Sequence, residues 1–191
     1  LNLSSNKIGP LGAKHIGWML RFTHTLEELL LSDNIVGDEG VASLSEGLKR
    51  DEHAVSNLHR LELNWNEISD VGAGHLARVL LENAALKSLS LASNAIGDRG
   101  VGAIAETLPS DLGLQYLDIS SNQVEDAGAK LLAQVLCRPR CKVVLQWKEN
   151  NLTSEGNDRL NHVAVFRKNM ASWLGRQLEL IEKQRSLSLY L

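Results

Sequence analysis

An asparagine recurs along this chain at Asn6, Asn34, Asn66, Asn94, Asn122 and Asn150, at intervals of 28, 32, 28, 28 and 28 residues. Each closes the same phrase: Leu1-Asn-Leu3-Ser-Ser-Asn6, Leu29-Leu-Leu31-Ser-Asp-Asn34, Leu61-Glu-Leu63-Asn-Trp-Asn66, Leu89-Ser-Leu91-Ala-Ser-Asn94, Leu117-Asp-Ile119-Ser-Ser-Asn122 and Leu145-Gln-Trp147-Lys-Glu-Asn150. Two residues past each stands an apolar side chain (Ile8, Val36, Ile68, Ile96, Val124, Leu152), and six past each a glycine (Gly12, Gly40, Gly72, Gly100, Gly128, Gly156). A period of this length marks a solenoid, whose units are too small to bury an apolar face alone and must stack.

Within each phrase the alternate leucines point one way from a short strand and their neighbours the other. Helical patterns such as Val41, Leu44, Leu48 follow. Asp38, Asp70, Asp98, Asp126 and Ser154 stand just before these patterns and are predicted N-caps, accepting bonds from free backbone N–H groups. Pro10 in the same slot suits a first helical turn. Each asparagine is predicted to turn its amide towards backbone groups of the next turn, closing the strand end with a ladder. Gly37-Asp-Glu-Gly40 and Gly97-Asp-Arg-Gly100 lack the ligands of an EF-hand and the Lys-Ser/Thr of a P-loop.

Over about residues 1–160 these phrases resemble leucine-rich repeats of the ribonuclease-inhibitor-like subfamily. Its members include ribonuclease inhibitor, the Ran GTPase-activating protein and the repeat regions of NOD-like receptors. The resemblance implies an α/β horseshoe of about six repeats, with a parallel β-sheet on the concave side and helices on the convex side. It also implies action by gripping or sensing another protein. The leading expectation is a non-catalytic protein–protein interaction module, one segment of a larger intracellular, cytoplasmic scaffold or receptor. Leu1 begins mid-strand, so further repeats or domains are expected before it. The alternative is a GTPase regulator resembling the Ran GTPase-activating protein. This chain has a basic end where that family has an acidic tail, and no residue of that family's active surface is carried over. Ribonuclease inhibitor itself is cysteine-rich, whereas two cysteines occur here.

Composition narrows the function classes. The 191 residues carry a formal charge of −3, with 43% hydrophobic and 23% charged residues, as in soluble globular chains. That balance gives no electrostatic case for nucleic acid or an anionic membrane. Cys137 and Cys141 fit a reducing compartment as ordinary thiols. No apolar run approaches the ~18 residues of a membrane span. The six histidines are scattered, no Cys-x-x-Cys or His-x-x-x-His pair occurs, and no nucleophile elbow or dinucleotide fingerprint is present. No catalytic, cofactor or metal residue is therefore expected, and an enzyme is not expected.

The register breaks in three places. Four extra residues lie within 49–57, a charged insertion that reads as a loop at the solenoid's edge. Trp147 takes the core slot of Leu3, Leu31, Leu63, Leu91 and Ile119, which suits a last layer shielding an open end. Beyond 157 the rhythm gives way to helical spacing, so the expected division is a solenoid over 1–157 and an amphipathic helix with a short tail over 158–191. That segment is net +3, leaving −6 for the solenoid. A cap on the last repeat and a separate binding helix both remain open for it.

A partner would be read on the concave face. Its candidate residues are Glu28, Asp33, Arg60, Glu62, Trp65, Tyr116 and Asp118. Repeats two and three carry large and charged groups there, while Ser88, Ser90, Ala92 and Ser93 leave repeat four nearly bare. Trp65 beside Arg60 and Glu62 has the composition of an interface hot spot, or else folds over its own turn. Carboxylates outnumber cations on this face, so a basic or mixed protein surface is the expected partner.

Overall fold

The computed structural model describes residues 1–49, 57–108, 113–138 and 141–168. Helices α1 (Pro10–Leu20), α2 (Gly37–Leu48), α3 (Asp70–Glu82), α4 (Asp98–Thr107) and α5 (Asp126–Leu136) alternate with strands β1 (Glu28–Leu30), β2 (Arg60–Glu62), β3 (Ser88–Ser90), β4 (Tyr116–Asp118) and β5 (Val144–Gln146). The strands form one parallel sheet in sequence order, and Asn2 extends it by a bridge to Leu30. Register is strict: Leu29, Leu61, Leu89, Leu117 and Leu145 pair in one row across all five strands. This is the expected α/β solenoid of leucine-rich repeats.

The core is a stack of matching layers. Leu31, Leu63 and Leu91, then Val36, Ile68 and Ile96, then Leu44, Leu76 and Ile104 are all buried, three registers each filled by three successive repeats. Stacking supplies what one strand–helix unit lacks, a second face to cover its leucines. The strands hold only three residues because the chain turns sharply three residues after each ends. Ser5, Asp33, Trp65, Ser93, Ser121 and Glu149, each just before its asparagine, adopt positive φ between 53° and 60°.

The asparagine ladder is present, but it runs back towards the preceding repeat rather than on to the next. Asn94 Nδ2 donates to Leu63 O and Leu91 O, both at 2.9 Å, while its Oδ1 accepts from Ile68 N and Asn66 N at 3.0 Å. Asn34, Asn122 and Asn150 likewise donate to a carbonyl of the preceding repeat, and each accepts there from the amide of Ile8, Ile96 or Val124. The strand pairing leaves the Leu63 carbonyl unused, and a buried carbonyl without a partner is costly. The next asparagine is the nearest donor that can reach it.

The capping expectation is corrected. Asp70, Asp98 and Asp126 are the first residues of their helices, and the caps before them are Ser69, Gly97 and Glu125. Asp38 is the second residue of α2, and the last helical stretch likewise begins at Ser154 itself. These carboxylates serve the following repeat instead. Asp38 Oδ1 accepts from Ser69 N at 2.8 Å and Gly72 N at 2.9 Å, and Asp70 Oδ1 accepts from Gly97 N at 2.7 Å and Gly100 N at 2.9 Å. The physical reason is proximity: in a stack, the free N–H groups beside a helix start belong to the neighbouring helix. It also explains the glycine register, because a Cβ at Gly100 would sit 2.7 Å from Asp70 Oδ1.

Residues 154–168 are helical, and Leu160 and Val163 enter the common core. The Arg167 guanidinium donates to the carbonyls of Cys141 and Val143 at 2.6 and 2.5 Å, beside the last strand. Trp147 is half-buried against the same core. Cys137 is exposed at the end of α5 and Cys141 is buried, both as free thiols. The heart of the charged insertion (50–56) and the greater part of the C-terminal helix reading (169–191) lie outside the described residues.

Candidate functional site

Strand alternation places two rows of side chains on the open face of the sheet. The first is Glu28, Arg60, Ser88, Tyr116 and Val144; the second is Leu30, Glu62, Ser90, Asp118 and Gln146. Five of the seven predicted residues, Glu28, Arg60, Glu62, Tyr116 and Asp118, therefore do share one surface. Arg60 Nη2 donates to Glu62 Oε1 at 2.5 Å, and Arg60 Nη1 lies 3.9 Å from Glu28 Oε2. The Glu62 carboxylate, by that hydrogen bond and its charge, holds the Arg60 pKa above its ordinary value. Burial, reinforced by the Asp118 carboxylate, pushes the Tyr116 phenol upward, and its hydroxyl lies 3.5 Å from Asp118 Oδ2.

Between these two groups lies repeat four. Ser90 there is buried and donates to Asn64 Oδ1 at 2.7 Å, which also accepts from Ala92 N at 2.8 Å. The small side chains thus form the floor of a saddle, with the Arg60–Glu62 pair on one side and Tyr116–Asp118 on the other. Such a surface offers a fixed guanidinium, three carboxylates and a phenol. It can recognise polar and cationic groups of a protein, but it assembles no nucleophile with a base.

The structure puts Asp33 and Trp65 elsewhere. Both lie past the ends of their strands, in the positive-φ turn that leads to the helices. With Ile35, Glu67, Ser93 and Ala95 they line a shallow groove of about 520 Å³ along the rim. Trp65 is 66% exposed, so it does not fold down over its own turn. Its backbone is fully used: its N–H donates to Ala92 O at 3.0 Å and its carbonyl accepts from Asn34 N at 3.2 Å. A bulky residue at positive φ is a conformational outlier, and other repeats fill this slot with serine, aspartate or glutamate. Ile35, half exposed beside it, and the positive-φ Glu67 were not singled out from the sequence. Both stand one residue from an asparagine of the ladder, which is the signal that could have found them.

No cluster of three or more metal-ligating side chains occurs among the described residues. No helix among them is long and apolar enough to cross a membrane.

Comparison with known proteins agrees with this architecture. The family described as Leucine Rich repeat matches residues 1–17, 23–45, 56–77, 82–105 and 114–133, together more than half of the chain. Over 91 residues, 48% of this chain, the sequence is 34% identical to Protein NLRC5 of Mus musculus, of which it covers 4%. It is 35% identical over 91 residues to NACHT, LRR and PYD domains-containing protein 14 of Mus musculus, covering 9% of that protein. A Protein phosphatase 1 regulatory subunit 37 homolog of Caenorhabditis briggsae is 28% identical over 92 residues, 10% of its length. The chain thus spans a small part of each relative. Among solved structures, the tropomodulin C-terminal domain of Caenorhabditis elegans superposes with a TM-score of 0.62 at 16% identity, covering 85% of this chain and 98% of that one. The actin-binding site 2 of leiomodin-1 gives 0.60 at 18% identity, covering 93% and 95%. At such identities these two share the fold.

Proposed function

Since the chain belongs to the leucine-rich repeat family, whose members are in general non-catalytic protein-binding modules, we propose that it grips another protein through its concave strand face and the adjoining Trp65 rim. The module is one segment of a larger intracellular scaffold or receptor, working in the cytoplasm. Its partner presents a basic or mixed surface rather than nucleic acid or a membrane. Carboxylates of Glu28, Glu62 and Asp118 on the face, and of Asp33 and Glu67 on the rim, favour cationic side chains and repel phosphates.

One observation carries this reading. Trp65 leaves two-thirds of its surface exposed and is held at φ 55°, where its own slot elsewhere uses small or acidic residues. The turn imposes that φ on the same slot of every repeat, so the fold accounts for the backbone there but not for an indole on it. An exposed indole at the edge of a shallow groove, ringed by charge, is suited to anchor a partner.

Once a partner has been captured from the native source, the test is a titration with Trp65→Ser and, on the convex side, Gln134→Ala. The first should weaken affinity at least about tenfold, ~1.4 kcal/mol, and the second should leave it unchanged. Equal affinity for both variants and the unmodified chain would remove the rim from the site. Faster GTP hydrolysis by a bound small GTPase would replace the binding-only reading with the GTPase-regulator alternative.

A further inference from the structure

The first repeat shows two kinds of exposed apolar residue, and register separates them. Leu3, Ile8, Ile16 and Met19 are half-buried, whereas their register mates Leu31, Val36, Leu44 and Gly47 are buried. These four belong to the end layer of the stack. Trp18 and Phe22 are different. The mates of Trp18 are Glu46, Arg78, Glu106 and Gln134, all exposed although repeats flank them on both sides. The described helix-end mates of Phe22, Glu82 and Arg138, are exposed as well. Among the described residues these registers face outward in every repeat, so a neighbouring repeat does not account for aromatic side chains there.

Leu11, His15, Trp18 and Phe22 follow one another at spacings of four, three and four residues, a single outward row along α1 and its end. The row is about 16 Å long at the helical rise. Leu11, Trp18 and Phe22 are each about two-thirds exposed, and the rings of Trp18 and Phe22 meet at 5.1 Å with a 58° tilt. Helix α1 thus has a second apolar face besides the one that buries Ala13, Gly17 and Leu20. Lys14 and Arg21 run along the flank of the row on the side where Gly17 meets α2. Residues 1–26 contain Lys7, Lys14 and Arg21 and no aspartate or glutamate, in a chain whose net charge is −3.

We propose that this outer face of α1 is a second docking surface, separate from the concave site, that takes an acidic amphipathic helix of a partner protein. The row has the width of one helix and the length of about three turns. It matches a partner seam with apolar residues at three- and four-residue steps, as in helix-on-helix recognition. Charge complementarity then places the partner's carboxylates over Lys14, within a segment, 1–26, that has cations and no carboxylate. An anionic bilayer fits less well, because a plane laid on this row also meets Glu39 and Glu46 of the adjacent α2.

The test uses the full chain and two synthetic peptides of about 18 residues, long enough to cover the row. Both have a leucine seam; one carries glutamates along its flanks and the other lysines. The readout is the indole N–H signals of the four tryptophans in a nitrogen-15 spectrum. The glutamate peptide should move the Trp18 signal saturably and leave that of Trp65 in place. Trp18→Glu with Phe22→Glu should weaken binding at least about tenfold, and the fold should tolerate both because Glu46 and Glu82 hold those registers. Lys14→Glu, a milder exposed change, should reverse the preference between the peptides. Absence of binding, a response at Trp65 alone, or equal binding of both peptides would overturn the proposal. So would Trp18-dependent binding to phosphatidylcholine vesicles with about 30% phosphatidylserine in place of the peptide, since that outcome makes the face a membrane contact.

Discussion

Trp18 and Trp65 are almost equally exposed, at 67% and 66%, yet they stand on opposite sides of the solenoid in opposite surroundings. Trp18 rides on a regular helix whose repeat has cations and no carboxylate. Trp65 sits in a strained turn between Asp33 and Glu67. Both occupy a register that other repeats fill with polar or charged residues. A repeat protein makes such departures visible, because each position comes with several internal controls. The two departures differ in cost: the helical one strains nothing, while the turn makes the backbone hold a bulky residue at positive φ. They also differ in the charge they ask of a partner, acidic at Trp18 and basic at Trp65.

That contrast supposes one scaffold, indifferent to what stands at either tryptophan and intolerant of changes in its ladders. Asn94→Ala should therefore have the largest effect. It strands the Leu63 carbonyl and the Ile68 amide in mid-stack, and should cost about 3 kcal/mol in a denaturant melt. A loss within error would mean that the ladder does not hold the turns on which Trp65 is mounted. Gly100→Ala comes next, at about 2 kcal/mol, because its Cβ collides with the Asp70 carboxylate and with Ala73. Asp70→Ala alone should also destabilise, because it strands the Gly97 and Gly100 amides; a double variant that loses less than the two single losses together would show that the clash is with the Asp70 carboxylate.

The tryptophans themselves should separate in sign. Trp65→Gly relieves the turn and should gain about 1 kcal/mol. Trp18→Glu, at an unstrained outward register, should stay within about 0.5 kcal/mol of the unmodified chain. Equal losses from both would show that the two indoles are structural and would dissolve the contrast.

The acidic character of the Trp65 side extends over the strand face, and Tyr116 reports it with the smallest effect. Its folded pKa is raised by burial first and by Asp118 second, so the fold favours the neutral phenol. The corresponding stability is present below the ordinary value of ~10 and is lost as pH rises through the higher folded value. Tyr116→Phe should flatten the alkaline fall in stability. An unchanged alkaline slope would mean that neither burial nor the Asp118 carboxylate acts on the phenol.

The six registers made the sheet, the layered core and the asparagine turns legible, because stacking converts a sequence period directly into neighbours. The caps misled for the same reason. Asp70 was read against its own helix, where single-helix rules place it, but its free amides lie one repeat later at Gly97 and Gly100. The 30-residue offset from Asp70 to Gly100 stood in the sequence, unread as a contact. At the site, alternation located Glu28, Arg60, Glu62, Tyr116 and Asp118, since it follows from strand geometry alone. It could not locate Asp33 and Trp65, because three-residue strands end before those positions and the turn re-aims them to the rim. The Leu11–Trp18–Phe22 row has no signature in the repeat phrase, because an outward register is apolar by exception and shows only when its mates Glu46, Arg78, Glu106 and Gln134 are set beside it.

The account rests on a repeat protein binding where it departs from its own registers, and Trp65→Ser tests that most directly when stability and partner affinity are measured on one preparation. The predicted result is a melting midpoint equal to or above that of the unmodified chain, with affinity for the captured partner lower by at least about tenfold. A lower midpoint with unchanged affinity would contradict it, because the indole would then serve the fold and not a partner.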